Sequence, residues 1–286
     1  ISSCGICIDG LENGSIANIL ENTIYGNSTF LKSFGVHVKN ARGTNLRISS
    51  NNIISGFSSG IELYQNVFNI LSIGRNTQIS SNRIGISAYI SDWFEGLSIS
   101  NNTSISNNII AGISIYGGSQ GRILNNQFNI LNTPAVGIDL KIPFFYDLEN
   151  NTMLSNFSET ANKPFIKLSN GIKTNLCCNN LSDNETGVHI YGTNSLTGIR
   201  NTTFNNNNFI LENSIISDNP HAGNRFKGQT TGLLLASSPS SNRFTVNVNE
   251  SNLNLGQIKP LQIEPLLFAD DWFFNDINGS SMLCTA

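Results

Sequence analysis

One short pattern recurs along this chain and constrains its fold more than any other feature. A leading residue, usually glycine, precedes alternating apolar residues, as in Gly35-Val-His-Val38. The pattern starts at Gly5, Gly35, Gly60, Gly85, Gly112, Gly137, Phe165, Gly187 and Gly232. Successive starts are 30, 25, 25, 27, 25, 28, 22 and 45 residues apart. Apolar residues at every second position are typical of a strand with one buried face, so each copy is predicted to supply one strand at an equivalent place.

An asparagine recurs in register with this pattern. It is found at Asn22, Asn51, Asn76, Asn101, Asn125, Asn150, Asn179 and Asn201. Asparagine tolerates the left-handed backbone conformation and forms local hydrogen bonds, which suits a tight corner between strands. Stacked asparagines also form side-chain ladders. We therefore predict one asparagine corner per repeat and a structural ladder made of these eight side chains.

The length and content of the repeat select one repeat architecture. Each copy of roughly 25 residues holds three short strand-like runs and turns, and no stretch sustains a 3.6-residue period. Propeller blades need about 40 residues or more, and leucine-rich repeats carry a denser leucine pattern. The chain is therefore predicted to be all-β, a single right-handed parallel β-helix (β-solenoid) of about nine rungs over residues 1–255.

Two segments depart from the period. Residues 205–231 lengthen one repeat to 45 residues. This segment is interpreted either as an extended rung with an extra turn or as a projecting loop. The pattern fails after Leu255, and residues 256–286 are predicted to form a C-terminal cap or a linker to a following domain, because open sheet ends must be covered. No comparable cap precedes Gly5, so we expect further rungs upstream in a longer protein.

The repeat, from Gly5 to about Leu255, resembles that of the parallel β-helix proteins of the pectate-lyase-like and periplasmic NosD-like type. The resemblance lies in the degenerate repeat and is therefore one of fold. It implies an architecture that serves polysaccharide enzymes, adhesins and extracellular stalks alike, so function must be argued from the surface.

The composition excludes two classes of partner. Charged residues make up 12% of the chain, against a usual figure of about 25%, and the formal net charge is -3 without basic clusters. This gives no electrostatic footprint for nucleic acid or for an anionic membrane surface. The apolar runs are much shorter than the ~20 residues of a spanning helix, so no membrane insertion is expected.

The five cysteines, Cys4, Cys7, Cys177, Cys178 and Cys284, leave at least one unpaired. Cys4-x-x-Cys7 invites a zinc or redox interpretation, but zinc needs further ligands and the next cysteines are some six rungs away. We therefore expect no metal and no cofactor. Cysteines near the termini are hypothesised to join neighbouring domains or subunits.

The middle residue of each strand pattern is predicted to point outward, which stacks these residues into one column with neighbours about 4.8 Å apart. The column carries Asp139, Lys167 and His189 on three consecutive rungs. A polysaccharide lyase needs a base and a cation that meets the substrate carboxylate, so these are the candidate catalytic residues. Alternatively, opposite charges on neighbouring strands only stabilise the stack. The acidic cluster of the calcium-dependent lyases of this fold is absent from the column.

Tyrosines occupy another repeating position. Tyr64, Tyr116 and Tyr191 each follow the strand pattern by one residue. Their rings are candidate platforms for sugar binding, and packing at the strand end is the alternative.

These features favour a secreted or cell-surface structural or binding module, part of a larger adhesin, stalk or extracellular filament. Its expected partners are polysaccharides or neighbouring subunits or domains of the same assembly. A non-enzymatic role is favoured because outward residues vary between rungs without converging on a catalytic constellation. The alternative is a carbohydrate-active enzyme, a polysaccharide lyase or tailspike-like depolymerase, that uses the column around Asp139.

Overall fold

The computed structural model describes residues 3–27, 32–64, 67–90, 96–117, 120–130, 135–143, 145–155, 163–169, 173–182, 186–191, 196–200, 203–205, 208–212, 225–227, 231–236, 244–247, 252–253, 259–263, 272–277 and 280–283. These residues form strands and turns without any helix. Accordingly, no part of the described chain provides a helix long and apolar enough to cross a membrane.

The strands stack into three parallel sheets, and the chain visits the sheets in turn, so that one pass through them is a rung. The first sheet contains Ser3–Asp9, Ser33–Lys39, Ser59–Tyr64, Ile84–Tyr89, Ala111–Tyr116, Val136–Lys141, Ile166–Ser169, Thr186–Tyr191, Asn208–Glu212, Thr231–Ala236 and Lys259–Ile263. The second contains Ile16–Leu20, Arg42–Ser49, Val67–Gly74, Leu97–Ser100, Gln120–Leu124, Phe145–Glu149, Lys173–Cys177 and Leu196–Arg200. The third contains Thr23–Tyr25, Ile53–Ser55, Gln78–Ser80, Ile105–Ser106, Gln127–Ile130, Thr152–Ser155, Asn180–Ser182, Thr203–Asn205, Arg225–Lys227 and Asn252–Leu253. A separate small sheet contains Phe244–Asn247, Trp272–Ile277 and Ser280–Leu283.

The predicted all-β parallel β-solenoid is confirmed, but the number of rungs differs. The first sheet holds eleven strands, two more than the nine predicted starts. The additional strands are Asn208–Glu212 and Lys259–Ile263, and neither begins with the glycine pattern. Asn208–Glu212 lies within the long 205–231 segment and is inserted between Thr186–Tyr191 and Thr231–Ala236.

The core is a set of apolar columns that run along the solenoid. In the first sheet, successive partners one rung apart are Val36, Ile61, Ile86, Ile113, Ile138, Ile166 and Val188, and each is fully buried. Full burial of one such side chain contributes about 1.5–3 kcal/mol. The alternation seen in the sequence therefore places one residue in two inside and leaves the other on the surface.

The leading glycines mark a close approach between rungs. A Cβ atom added to Gly85 would lie 2.5 Å from the carbonyl oxygen of Gly112, and one added to Gly35 would lie 2.5 Å from that of Gly60. Neither glycine has a positive φ. The glycine therefore recurs because only a hydrogen atom fits between stacked backbones, and not because the turn needs a left-handed conformation.

The corner between the second and third sheets repeats a two-residue unit. Its first residue has a φ between 53° and 62°, and these residues are Glu21, Ser50, Arg75, Asn101, Asn125, Asn150 and Cys178. Its second residue is always asparagine: Asn22, Asn51, Asn76, Asn102, Asn126, Asn151 and Asn179. The second residue turns into the solenoid and the first one makes the bend.

The inward asparagines form a continuous ladder of hydrogen bonds from Asn22 to Asn179. Asn102 shows the repeating geometry: its backbone N–H and its side-chain Nδ2 donate to Oδ1 of Asn126, at 3.1 and 2.9 Å. Nδ2 of Asn126 in turn donates to the carbonyl oxygen of Ile99, at 2.9 Å. The side chain thus satisfies backbone groups that the bend would otherwise leave unpaired inside the protein.

The ladder corrects three of the predicted members. Asn22, Asn51, Asn76 and Asn179 lie in it, whereas Asn101, Asn125 and Asn150 take the preceding, left-handed position, and Asn201 lies outside the described residues. In these three rungs two asparagines are adjacent, and each suits a corner. The first makes the bend and only the second turns inward.

A second, shorter ladder lies at the corner between the third and first sheets and is not among the predicted features. The backbone N–H of Phe57 donates to Oδ1 of Asn82, at 2.9 Å, and that of Asn82 donates to Oδ1 of Asn108, at 3.1 Å. Each asparagine again follows a residue with positive φ, Ser81 or Asn107. Two of the solenoid's corners therefore use the same unit.

Candidate functional site

The outward column of the first sheet follows the predicted order and gains two residues. Backbone register runs through Cys7, His37, Glu62, Ser87, Ser114, Asp139, Lys167, His189, Ile210, Leu234 and Gln262. Ile210 enters between His189 and Leu234, and Gln262 follows Leu234, because their strands are the two additional ones. The structure therefore brings Asp139, Lys167 and His189 to adjacent backbone positions; the side chain of His189 lies outside the description.

The carboxylate of Asp139 is largely covered. The residue is 9% exposed, and its Oδ2 lies 3.1 Å from Nζ of Lys141, two residues along the same strand. Its Oδ1 is buried and has no hydrogen-bond partner within the described chain. Oδ1 is buried and Oδ2 is paired with Lys141, so this geometry does not favour Asp139 as a general base for a polymer substrate.

His37 and Glu62 meet in the same column nearer the N-terminal end. The ring of His37 lies 4.4 Å from that of Phe34, between centroids. Burial lowers the pKa of His37 below its ordinary value of 6.5, and the neighbouring Glu62 carboxylate offsets part of that effect. The pair therefore carries a neutral imidazole beside a carboxylate at neutral pH.

This lowered pKa predicts a pH dependence of stability. Unfolded His37 binds its proton more tightly than folded His37, so the free energy of unfolding should fall as the pH drops from 6.5 towards the folded-state pKa. NMR titration of the His37 ring should give a midpoint below 6.5, and His37→Gln should reduce the acid sensitivity. In Glu62→Gln the midpoint should fall further, because the carboxylate that raises it is gone. A midpoint at or above 6.5 in the native chain would contradict this prediction.

Three exposed tyrosines form a stack beside this column. Tyr64 and Tyr116, both predicted binding residues, lie either side of Tyr89, which occupies the same place in its rung and was missed. The ring centroids are 5.4 Å and 5.2 Å apart, with interplanar angles of 27° and 4°. The ring faces between Tyr64 and Tyr89 and between Tyr89 and Tyr116 contact one another, so these faces are not open to a sugar. Tyr191 occupies the same column three strands beyond Tyr116, after Lys141 and Ser169, and its side chain lies outside the described residues.

The tyrosine stack predicts a stabilising contribution from Tyr89. Replacing Tyr89 with alanine removes both ring contacts, and each aromatic pair contributes about 0.5–1.5 kcal/mol, so the free energy of unfolding should fall by about 1–3 kcal/mol. Chemical denaturation followed by circular dichroism measures this change. Tyr25→Ala is the control, because Tyr25 is 68% exposed in the first rung. Equal losses in the two variants would show that the stack contributes nothing.

Lysines flank the stack at both ends. Lys39 is the register partner of Tyr64, and Lys141 is that of Tyr116. Nζ of Lys39 lies 2.8 Å from Oδ2 of Asp9, and Lys141 pairs with Asp139 as described above. The positive charges of these two lysines are thus paired locally, and between them the described part of this face carries no cationic row that would attract a polyanion.

The outer face of the second sheet contains a groove, which we call the Ser98 groove. It has a volume of about 410 Å³ and is lined in part by Gly96, Ser98, Gln120, Arg122, Phe145 and Asp147. It forms where one rung carries small outward residues, Gly96 and Ser98, and the next two carry large ones. The groove was not predicted from the sequence.

A charged pair forms one wall of the Ser98 groove. Nε of Arg122 lies 3.6 Å from Oδ2 of Asp147, and Nδ2 of Asn175 donates to Oδ1 of Asp147, at 3.0 Å. The Arg122 side chain is 68% exposed and that of Asp147 16%. The guanidinium therefore faces solvent, while the carboxylate is held in place by two neighbours on adjacent rungs.

The described cysteines form local pairs and do not contribute to a metal site. Within the part of the chain that the structure describes, no three His, Cys, Asp or Glu residues lie together so as to hold a metal ion. Cys4 is joined to Cys7 and Cys177 to Cys178, and Cys284 lies outside the described residues. Four of the five cysteines are thus paired locally, and Cys284 is the residue on which the hypothesis of a terminal linkage now rests.

Comparison with protein-family models, with curated proteins and with solved structures finds no match. The architecture and the chemistry of its surface therefore carry the functional argument.

Proposed function

We propose that this protein is a secreted or cell-surface structural and binding module, a rigid β-solenoid within a larger adhesin, stalk or extracellular filament. The observation that carries the proposal is the continuity of the solenoid. The asparagine ladder runs unbroken from Asn22 to Asn179, and the apolar columns run with it. Each rung is bonded to the next by backbone and side-chain hydrogen bonds, which makes the module a stiff spacer with long flat faces.

The surface chemistry supports the same proposal. Charged residues are few, and the described ion pairs join neighbours: Asp9 with Lys39, Asp139 with Lys141, and Arg122 with Asp147. The interactions of a neutral polar surface change little with ionic strength, which suits an extracellular location. The repeat also agrees with a place among the pectate-lyase-like and NosD-like β-helix proteins, whose architecture includes binding and structural members.

The proposal is tested on the purified chain with a panel of neutral and uronate polysaccharides. We expect retention on one of these polymers, or on partner subunits from the same cell surface, without release of reducing or unsaturated ends. Antibodies should also label the protein on intact cells. Product release at a catalytic rate, or a location inside the cell, would overturn the proposal.

The alternative is a polysaccharide lyase or tailspike-like depolymerase, and one observation favours it. Backbone register places Asp139, Lys167 and His189 on neighbouring strands of one column. If the panel releases unsaturated ends, Asp139→Asn and Lys167→Ala should abolish the release while Tyr89→Ala leaves it unchanged. Activity that survives both column variants would place any catalysis elsewhere.

A further inference from the structure

We infer that the Ser98 groove is a binding site for a short neutral oligosaccharide. The inference rests on the proposed binding role and names the site and the ligand class for it. A volume of about 410 Å³ is within the usual range of small-molecule sites, roughly 300–1,000 Å³.

The depression has a specific structural origin. Along one outward column, Ile70 is followed by Gly96 and then by Gln120 and Phe145, and along the next, Ser98 is followed by Arg122 and Asp147. Small residues at both positions of one rung lower the floor, and the larger side chains of the following rungs raise a wall. The floor is rigid, because Leu97 and Ile99 of the same strand are buried in the core.

The polar groups of the groove match hydroxyl groups. Arg122 and Gln120 present N–H donors, and Ser98 both donates and accepts. Each carboxylate oxygen of Asp147 has one described partner, Asn175 or Arg122, and a carboxylate offers about four acceptor positions. Acceptor capacity therefore remains for a ligand O–H. Alternating donors and acceptors of this kind suit neighbouring hydroxyls of a sugar ring.

The charge balance selects a neutral ligand. Arg122 and Asp147 are 3.6 Å apart and cancel one another's charge. An anionic sugar attracted to the guanidinium would meet the carboxylate beside it, and a cationic ligand would meet the reverse conflict. A neutral saccharide avoids both, while the ring of Phe145 offers an apolar surface to the C–H face of a sugar.

The test measures binding to the full chain by calorimetry and saturation-transfer NMR. The probes are gluco-, manno- and xylo-oligosaccharides, with a galacturonate oligomer as the charged comparison. Ser98→Leu fills the groove without touching its charges, and Arg122→Gln removes a donor. Each change should weaken binding of the neutral oligosaccharide about tenfold or more. Ser98→Leu fills the space of the ligand, and Arg122→Gln removes a charged donor, whose hydrogen bonds are among the stronger ones.

Matched controls come from the same outward column of the second sheet. Ser72→Leu makes the same change as Ser98→Leu one rung earlier, and Arg47→Gln makes the same change as Arg122→Gln three rungs earlier. Neither Ser72 nor Arg47 lines the groove. Both controls should bind as the native chain does, and circular dichroism should show that all four variants are folded.

The outcomes separate this inference from the proposed function. Binding that Ser98→Leu and Arg122→Gln leave unchanged would overturn the site, while the module would still bind saccharide elsewhere. Stronger binding of the galacturonate oligomer, lost in Arg122→Gln, would overturn the neutral ligand class. If no neutral oligosaccharide binds, the inference fails. The proposed function is then tested separately, by retention of the protein on partner subunits and by its location on the cell.

Discussion

Replacing Asn126 with alanine is expected to lower the free energy of unfolding by about 3–5 kcal/mol, because two buried backbone groups lose their partners at about 1–3 kcal/mol each and a void is left. The backbone N–H of Asn102 donates to Oδ1 of Asn126, and the carbonyl of Ile99 accepts from its Nδ2. Asn126 is fully buried, so water cannot replace the lost side chain without a cavity. Urea denaturation followed by circular dichroism measures the loss.

Asn125→Ala is the matched control, because it changes the same residue type one position earlier. Asn125 is exposed and has a φ of 55°, so alanine there should cost only about 1 kcal/mol of backbone strain. Asn125→Gly should cost less still. Losses of equal size at the two positions, or a larger loss at Asn125, would show that the side-chain ladder does not stabilise the solenoid.

The same pair of residues shows how far the sequence predicts this fold. The period alone identifies a corner in every rung, and it led to the correct class of structure. It does not choose between Asn125 and Asn126, since either one recurs about 25 residues from its counterparts. The deciding signal is available in other rungs, where Glu21 or Arg75 precedes a single asparagine. In those rungs only the second residue of the corner unit is an asparagine, which identifies the second position as the inward one.

The additional strands and the Ser98 groove were not predicted from the sequence, for different physical reasons. Asn208–Glu212 lacks a leading glycine, so a search on that marker does not find it, although Phe209 and Leu211 are apolar at alternate positions. The Ser98 groove depends on the relative volumes of residues on three consecutive rungs of the second sheet, which has no such marker to align its strands. Tyr89 was predictable in principle, because it follows Gly85 as Tyr64 follows Gly60.

Gly85→Ala is expected to destabilise the protein by about 3 kcal/mol or more, although it adds a single methyl group. The added Cβ would lie 2.5 Å from the carbonyl oxygen of Gly112 and 2.9 Å from Nδ2 of Asn108. The first is a backbone atom and the second belongs to the shorter asparagine ladder, so neither moves aside alone. Relief requires the rungs to separate, which weakens the backbone hydrogen bonds between Ile84–Tyr89 and Ala111–Tyr116.

Gly10→Ala serves as the control. Glycine is usually expected to be hardest to replace where φ is positive, which would make Gly10 the more sensitive position. Gly10 has a φ of 77°, where alanine is strained by about 1–2 kcal/mol, but no atom of the described residues lies within 4 Å of the added Cβ. If close stacking is the reason for the leading glycines, the variant with ordinary φ, Gly85→Ala, should unfold at the lower urea concentration. A greater loss in Gly10→Ala would instead make backbone conformation the dominant cause. In the expected case, the recurring glycine that reveals the repeat in the sequence is also the residue that sets how closely its rungs stack.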